Sequence, residues 1–397
     1  MNIHGRCIEH GETHATILSE RGATRVTISN PEVLRVGDLV EIQGGFARPL
    51  TPNRCPDRSI KWTSAVLDPR RLHGTAVRNK TERAIRNFFA GNDFREVRTP
   101  LLVPCPGMET HIRPFKIHRE EPLLFLPTSP EFAMKRLLVG GLERIFQLSP
   151  AFRDEPPSRT HHPEFTMLEW YRAYAGYEEI MRDTEELLAF TAKEVLGSAS
   201  GEIQFEGKTI SVKPPWPRLR VRDLFLQHTG IDLTRAHNLA LLIDEAQRLN
   251  IKVNPGENWD DVYFKIWLNL IEPRLPADQA VFVVDYPVSQ AALAVLAKHA
   301  DGTSWARRFE VYVGGIELCN AFEELTDPVE QRARFVKDMN LREQIYGPAF
   351  PKNPLDEDFL SALTEGMPPS GGNALGVDRL VMLLADEPDI HYTMWLS

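Results

Sequence analysis

The chain has 397 residues, a formal net charge of −9 at pH 7, 42% apolar residues and 25% charged residues. Its length exceeds that of an ordinary domain of roughly 100–200 residues, so we expect one large domain and a small appendage. Neither an apolar run of the ~18 residues that cross a bilayer nor a secretory signal is found in the sequence. We therefore expect a soluble, cytoplasmic protein that does not contact membranes, and the negative charge argues against an extended nucleic-acid surface.

The first 74 residues differ in pattern from the rest of the chain. Short alternating apolar segments separated by Gly, Asn and Pro turns predict a small antiparallel β module over residues 1–46. Residues 47–74 hold several prolines and arginines with little periodicity, and we interpret them as a linker. Residues 75–397 then form the predicted large domain.

The large domain alternates between helical and extended patterns. It opens with a predicted helix over 75–90 and an extended segment over 94–100. The periodicity then predicts strands over 122–127, 143–153, 163–172, 282–287 and 306–313. Helices are predicted over 176–196, over most of 223–247 and over 377–384.

A predicted hairpin over 152–171 carries side chains suited to a nucleotide. Phe165, Glu169 and Tyr171 share one face of its second strand because side chains alternate with a period of two. A purine can stack on Phe165, Arg153 can neutralise a phosphate, and loop residues such as His161 can fold over the phosphate tail. The alternative interpretation is an amphipathic edge hairpin with a solvated loop.

A glycine-rich stretch at 371–376 leads into an apolar helix with Arg379 in its first turn. Glycine lets the backbone approach a ligand closely, and a buried arginine needs an anionic partner. The alternative is a simple strand-to-helix turn in which Arg379 pairs with Asp378 or another carboxylate.

Three acids and an amide form another candidate cluster, at Glu310, Glu317, Asn320 and Glu324. Residues 317–324 alone also fit one solvated helix face. The preceding Phe-Glu-Val-Tyr-Val-Gly-Gly run favours instead a strand broken by a glycine bend.

These segments together resemble a known family. Residues 94–100, 152–171 and 371–384 are similar, in order, to motifs 1, 2 and 3 of the class II aminoacyl-tRNA synthetases. The Thr-Ser-Pro-Glu-Phe-Ala-Met-Lys tract at 128–135 and the Glu-Leu-Thr-Asp tract at 324–327 resemble the lysine branch, within it most of all the elongation factor P lysyltransferases. The resemblance covers residues 75–385. It implies an α+β fold, an antiparallel sheet flanked by helices, in addition to the small N-terminal all-β module.

The resemblance also implies site residues. It places ATP against Arg153, Asp154, Glu155, His162, Phe165, Glu317, Leu318, Gly376 and Arg379, to which we add His161. It assigns the amino acid to Ser129, Pro130, Glu131, Glu169, Tyr171, Asn320, Glu324 and Ala374. Glu310 and Glu317 would hold Mg²⁺, a hard cation that prefers oxygen ligands. Arg153 and Arg379 are the expected catalytic residues, on the α- and γ-phosphates.

The implied reaction is activation of lysine or (R)-β-lysine by ATP as an aminoacyl-adenylate. We expect elongation factor P to be the acceptor and tRNA not to be a partner, because few residues precede the predicted catalytic helix. Ala374 stands where lysyl-tRNA synthetases usually have glycine, which favours (R)-β-lysine as donor. A homodimer through residues 75–100 is also expected. The alternatives are a lysyl-tRNA synthetase and a non-catalytic class II-like protein.

Overall fold

The structure is a computed structural model that describes residues 2–117, 123–347 and 353–396. Its residues form two compact units, one holding residues up to Asn79 together with those from His391 onward, the other holding Lys80–Ile390. Among the residues described, no helix is long and apolar enough to cross a membrane. Residue 122, which falls in one predicted strand, lies outside the described ranges.

The smaller unit is built on a five-stranded antiparallel sheet with the strand order β3-β2-β1-β4-β5. Alternate residues of its strands, such as Ala15 and Ile17, are buried and form a separate apolar core. The strands are β1 Asn2–His10, β2 His14–Ser19, β3 Gly22–Thr27, β4 Leu39–Gln43 and β5 Phe46–Thr51. The helices α1 Lys61–Val66 and α2 Pro69–Gly91 follow, and the residues of α2 after Asn79 are counted in the larger unit.

The stretch predicted as a linker contains regular structure. β5 continues the sheet to Thr51, and Pro49 is tolerated there because an edge strand leaves some backbone donors unpaired in any case. Helix α2 begins at Pro69, six residues before the predicted start, and proline is favoured in the first turn of a helix. The end of β5 and the start of α2 therefore lie within the stretch that the sequence predicted as a linker.

The larger unit contains a mixed sheet of nine strands, in which the main path runs β13-β14-β16-β17-β18-β10-β9-β6 and β15 pairs with β16. Only the β13–β14 and β6–β9 pairs of this described sheet are parallel. Its strands are β6 Arg95–Glu96, β9 Arg144–Phe152, β10 Glu164–Ala173, β13 Arg218–Arg220, β14 Val281–Tyr286, β15 Leu296–Lys298, β16 Ser304–Val313, β17 Ile316–Glu323 and β18 Ser370–Gly376. Two short hairpins are formed by β7 Lys116–Ile117 with β8 Leu124–Phe125, and by β11 Glu202–Phe205 with β12 Lys208–Ser211.

Helices pack against this sheet, and helix α4 covers one face of it at β17 and β18. Helix α4 packs on β17 and β18, where Asn373 donates a hydrogen bond to Thr184 of the helix. Because side chains alternate along β18, Gly372, Ala374 and Gly376 point to the opposite face from Asn373. The helices are α3 Glu131–Val139, α4 Tyr177–Leu196, α5 Val221–Thr229, α6 Leu239–Arg248, α7 Trp259–Ile266, α8 Pro328–Tyr346, α9 Glu357–Gly366 and α10 Val377–Ala385.

Candidate functional site

Four of the predicted site residues form a row across the central sheet. Glu169 of β10 pairs directly with Ala374 of β18, Ala374 pairs with Asn320 of β17, and Asn320 pairs with Glu310 of β16. Directly paired residues project from the same face, and neighbouring strands lie about 4.8 Å apart, so the row is roughly 14 Å long. The strands therefore bring together residues that are more than 200 positions apart in the sequence.

An acidic pocket lies at the Glu169 end of the row. Ser129 Oγ donates a hydrogen bond to Glu169 Oε1 at 2.5 Å, and the Tyr171 hydroxyl donates to Glu169 Oε2 at 2.9 Å. Burial, together with the charge of Glu131, raises the pKa of the Glu169 carboxyl to about 8. The pocket therefore favours a ligand that brings positive charge to this carboxyl group.

A lysine of the chain itself enters the same pocket. Lys135 is completely buried, and its ammonium lies 2.6 Å from Glu131 Oε1 and 2.5 Å from Glu324 Oε2. Sequence analysis assigned both acids to the substrate but missed Lys135, because a lysine in the run Phe-Ala-Met-Lys-Arg-Leu-Leu is typical of an exposed helix face. Glu324 Oε1 is buried without a hydrogen-bond partner among the described residues, so part of this carboxylate is left for a donor.

The backbone of β18 comes close to the pocket at Gly372. A Cβ atom there would lie 2.3 Å from Tyr171 Cε1 and 2.4 Å from Glu324 Oε1. Glycine is therefore required at this position if both side chains keep their places. Pro130 is the N-cap of α3, the helix that carries Glu131 and Lys135.

Arginine side chains gather at the other end of the site. Arg379, in the first turn of α10, donates hydrogen bonds to the Glu317 carbonyl oxygen at 2.7 Å and to His161 Nε2 at 2.8 Å. Burial and the neighbouring Arg379 lower the pKa of His161, which keeps the imidazole neutral. Arg379 Nη1 also lies 3.6 Å from Glu317 Oε2, so the pairing with another carboxylate that the alternative interpretation included is present. Asp378 Oδ2 accepts a hydrogen bond from the Thr166 backbone N–H at 2.6 Å.

The predicted hairpin places a second arginine near the first. The Arg153 guanidinium lies over the Phe165 ring, 5.1 Å from its centroid, and Arg153 Nε is buried without a hydrogen-bond partner among the described residues. An unpartnered buried donor beside an aromatic ring suits an anionic group of a nucleotide. Asp154 is exposed and Glu155 is half-buried.

Two carboxylates on adjacent strands were expected to hold Mg²⁺. Arg308 donates to Glu310 Oε1 at 2.5 Å and the Tyr312 hydroxyl donates to Glu310 Oε2 at 2.9 Å. Glu317 Oε2 lies 3.6 Å from Arg379 Nη1, and burial together with the charge of Glu310 raises the pKa of Glu317. The described residues contain no cluster of three or more metal-binding side chains. One or two carboxylates completed by phosphate oxygens is nevertheless the donor set that Mg²⁺ commonly uses, so Glu310 and Glu317 fit this ion.

The remaining predicted residues have supporting positions. His162 Nδ1 lies 2.6 Å from the Glu164 carbonyl oxygen and so fixes the end of the loop. Leu318 is buried in β17, and Gly376 is the N-cap of α10. Arg308, which the sequence analysis missed, also donates to Asn320 Oδ1 at 3.0 Å and so connects two members of the row.

Comparison with known proteins places the chain in a family. Residues 64–396 match the family described as "tRNA synthetases class II (D, K and N)". The chain belongs to this family, and the predicted α+β class II fold is confirmed.

Three similar proteins are named as lysine–tRNA ligases. The chain is 38% identical over 335 residues to the lysine–tRNA ligase of Pelotomaculum thermopropionicum, a match that covers 83% of this chain and 64% of the relative. It is 36% identical over 332 residues to the lysine–tRNA ligase of Carboxydothermus hydrogenoformans, covering 83% of this chain and 66% of the relative. A lysine–tRNA ligase of Dehalococcoides mccartyi is 38% identical over 386 residues, or 90% of this chain and 76% of the relative. The chain thus spans slightly less than two thirds of the first two relatives.

These relatives correct the expectation about partners. tRNA was not expected to be a partner of the chain, but these relatives are lysine–tRNA ligases. They give no support to elongation factor P as the acceptor. The net charge of −9 does not exclude tRNA binding, because a net charge sums over the whole surface and is compatible with a local basic patch. The expected homodimer stays a prediction.

Proposed function

We propose that this chain activates lysine with ATP as a lysyl-adenylate and transfers the lysyl group to tRNA. The observation that carries the proposal is the row across the sheet, which has a buried acidic pocket at one end and carboxylates beside arginines at the other. A doubly cationic amino acid suits the first end and a phosphate tail suits the second. The names of the relatives support lysine as the amino acid and tRNA as the acceptor.

The first step joins the two substrates. The lysine carboxylate attacks the α-phosphorus of ATP, a carboxyl-oxygen-to-phosphorus bond forms, and the bond to the bridging oxygen breaks as pyrophosphate leaves. This reaction depends on positioning and on charge neutralisation more than on an acid or base. We assign Arg153 to the α-phosphate and Arg379 to the γ-phosphate, since both guanidinium groups lie at the nucleotide end. Mg²⁺ held by Glu310 and Glu317 would neutralise phosphate charge when bound.

The amino acid is held by the acidic end of the row. Glu169, fixed by Ser129 and Tyr171, faces one ammonium group, and the free oxygen of Glu324 faces another. Each ammonium group loses water on binding and therefore needs such an acceptor. In the second step a hydroxyl of the terminal tRNA ribose attacks the lysyl carbonyl, the ester forms, and AMP leaves.

Lysine-dependent exchange of pyrophosphate into ATP tests the activation step. We expect exchange with lysine and none with norleucine, which lacks the side-chain ammonium group. The variant Arg153→Ala should lower the exchange rate about 100- to 1,000-fold, because it removes a donor that acts on developing charge. Arg182→Ala, a change at an exposed arginine that pairs with Glu179, serves as the matched control. Absence of exchange with every amino acid would support the non-catalytic alternative instead.

A second assay tests the acceptor and the donor. The protein is incubated with ATP, either α-lysine or (R)-β-lysine, and either tRNA or elongation factor P, and the acceptors are weighed by mass spectrometry. We expect a lysyl group on tRNA. Modification of elongation factor P with no change in tRNA would contradict the proposed acceptor while leaving the activation step intact.

A further inference from the structure

The acidic pocket contains one cation that belongs to the protein. We propose that Lys135 is a positioning residue that sets the charge of this pocket and so selects amino acids with two ammonium groups. The inference rests on the proposed function, because it concerns how the same site chooses its amino acid. It assigns a role to a residue that contacts the pocket acids.

The ammonium of Lys135 is fixed by two of the three acids. Glu131 precedes it by one turn on α3 and lies 2.6 Å away, while Glu324 follows the end of β17 and lies 2.5 Å away. Lys135 is 0% exposed, so its ammonium group is out of reach of bulk solvent. Burial opposes the charge, but both acids together raise the pKa of Lys135, so its ammonium stays charged.

The charges then match a doubly cationic ligand. Glu131, Glu169 and Glu324 carry three negative charges when ionised, and Lys135 reduces the sum to two. Two substrate ammonium groups complete the balance, whereas with only one ammonium group one of these buried carboxyl groups has no cation to pair with and keeps its proton. The second ion pair is then lost, and the pocket therefore discriminates by charge as well as by shape.

A purely architectural role predicts different behaviour. If Lys135 only joined α3 to the end of β17, its loss would lower stability and would affect lysine and ATP binding alike. The charge role predicts that lysine binding changes while ATP binding does not, because the phosphate contacts of Arg153 and Arg379 are separate. Lysine–norleucine discrimination is therefore the informative measurement.

Titration calorimetry with lysine, norleucine and ATP tests the inference on the full chain. Lys135→Met should weaken lysine binding about 10- to 100-fold near pH 7, because Glu131 and Glu324 lose the cation that favours their ionised forms and must release protons before they accept the ammonium groups. It should leave the Kd for ATP within about twofold. Lys135→Met combined with Glu131→Gln returns the net charge to minus two and should bind lysine more tightly than the single variant. Lys193→Met, at an exposed lysine of α4, is the matched control.

Several outcomes would overturn the inference. Lysine binding by Lys135→Met within about threefold of the wild type would do so, as would equal losses for lysine and ATP. If the single variant does not fold, the double variant decides, because it leaves no excess charge and should still prefer lysine to norleucine. A double variant that binds both amino acids equally would contradict the charge role. Wild-type protein that fails to bind lysine would instead overturn the proposed function, and this inference with it.

Discussion

Burial of Glu169 is expected to make the protonation state of its carboxyl group depend on whether the ligand is bound. The group is 1% exposed, and its pKa of about 8 means that it holds a proton near neutral pH in the free protein. An ammonium ligand favours the ionised carboxylate, so lysine binding is expected to release this proton. Burial also raises the pKa of Glu324, which acts in the same direction.

We therefore predict that the Kd for lysine falls as the pH rises from 6 to 8 and levels off above 8. For each proton released the change should approach about tenfold per pH unit below the pKa of the free group. Calorimetry in two buffers with different ionisation enthalpies measures the affinity and the proton count together. The Glu169→Gln variant should release one proton fewer, and an affinity that weakens between pH 6 and 8 would contradict the assignment.

Ala374 lies between Glu169 and Asn320 in the row, so its methyl group borders the space for the amino acid. Ala374→Gly should shift the preference between the two lysine isomers towards α-lysine by about tenfold, since one methyl group is worth this much in a close-packed site. The ratio of kcat/KM values for α-lysine and (R)-β-lysine is the measurement. Ala321→Gly makes the same change on the opposite sheet face, where Ala321 pairs with Asn373, and should leave the ratio unchanged.

Among the elements, β18 packs closely against the acidic pocket at Gly372. Gly372→Ala would bring a methyl group against Tyr171 and Glu324, and we expect a loss of about 1–3 kcal/mol in unfolding free energy along with weaker lysine binding. Gly91→Ala is the control, because a Cβ atom there has nothing within 4 Å and its φ is not in the left-handed region. Urea unfolding and lysine titration of both variants give the comparison, and equal stability of the two would argue against close packing at Gly372.

The elements also show what the sequence could predict. The alternation at 164–173 was sufficient to place Glu169 and Tyr171 on one face, and the hydrogen bond between them confirms it. The glycine bend between β16 and β17 was predicted from Gly314 and Gly315, which both have positive φ. Lys135 could not be predicted, because its two acid partners come from different elements and only the fold brings Glu324 to α3.

At the scale of the whole chain, the two compact units have separate apolar cores. The site residues all lie in the larger unit, so a ligand stabilises that unit directly by mass action. We predict that lysine at 100 times its Kd adds about 2.7 kcal/mol to the larger unit and raises its Tm by about 4 °C. Scanning calorimetry should show a second transition that lysine does not move. A single transition shifted as a whole would mean that the two units unfold together.

The row across the sheet has a consequence for errors in folding. A one-residue slip of β18 would turn Ala374 to the wrong face and would at once misplace the helix that carries Arg379. Such a molecule would lose its nucleotide binding and its amino-acid specificity at the same time. Misfolded copies are thus expected to be inert, so a slipped strand would lower the amount of active protein and would not create a version that accepts other amino acids.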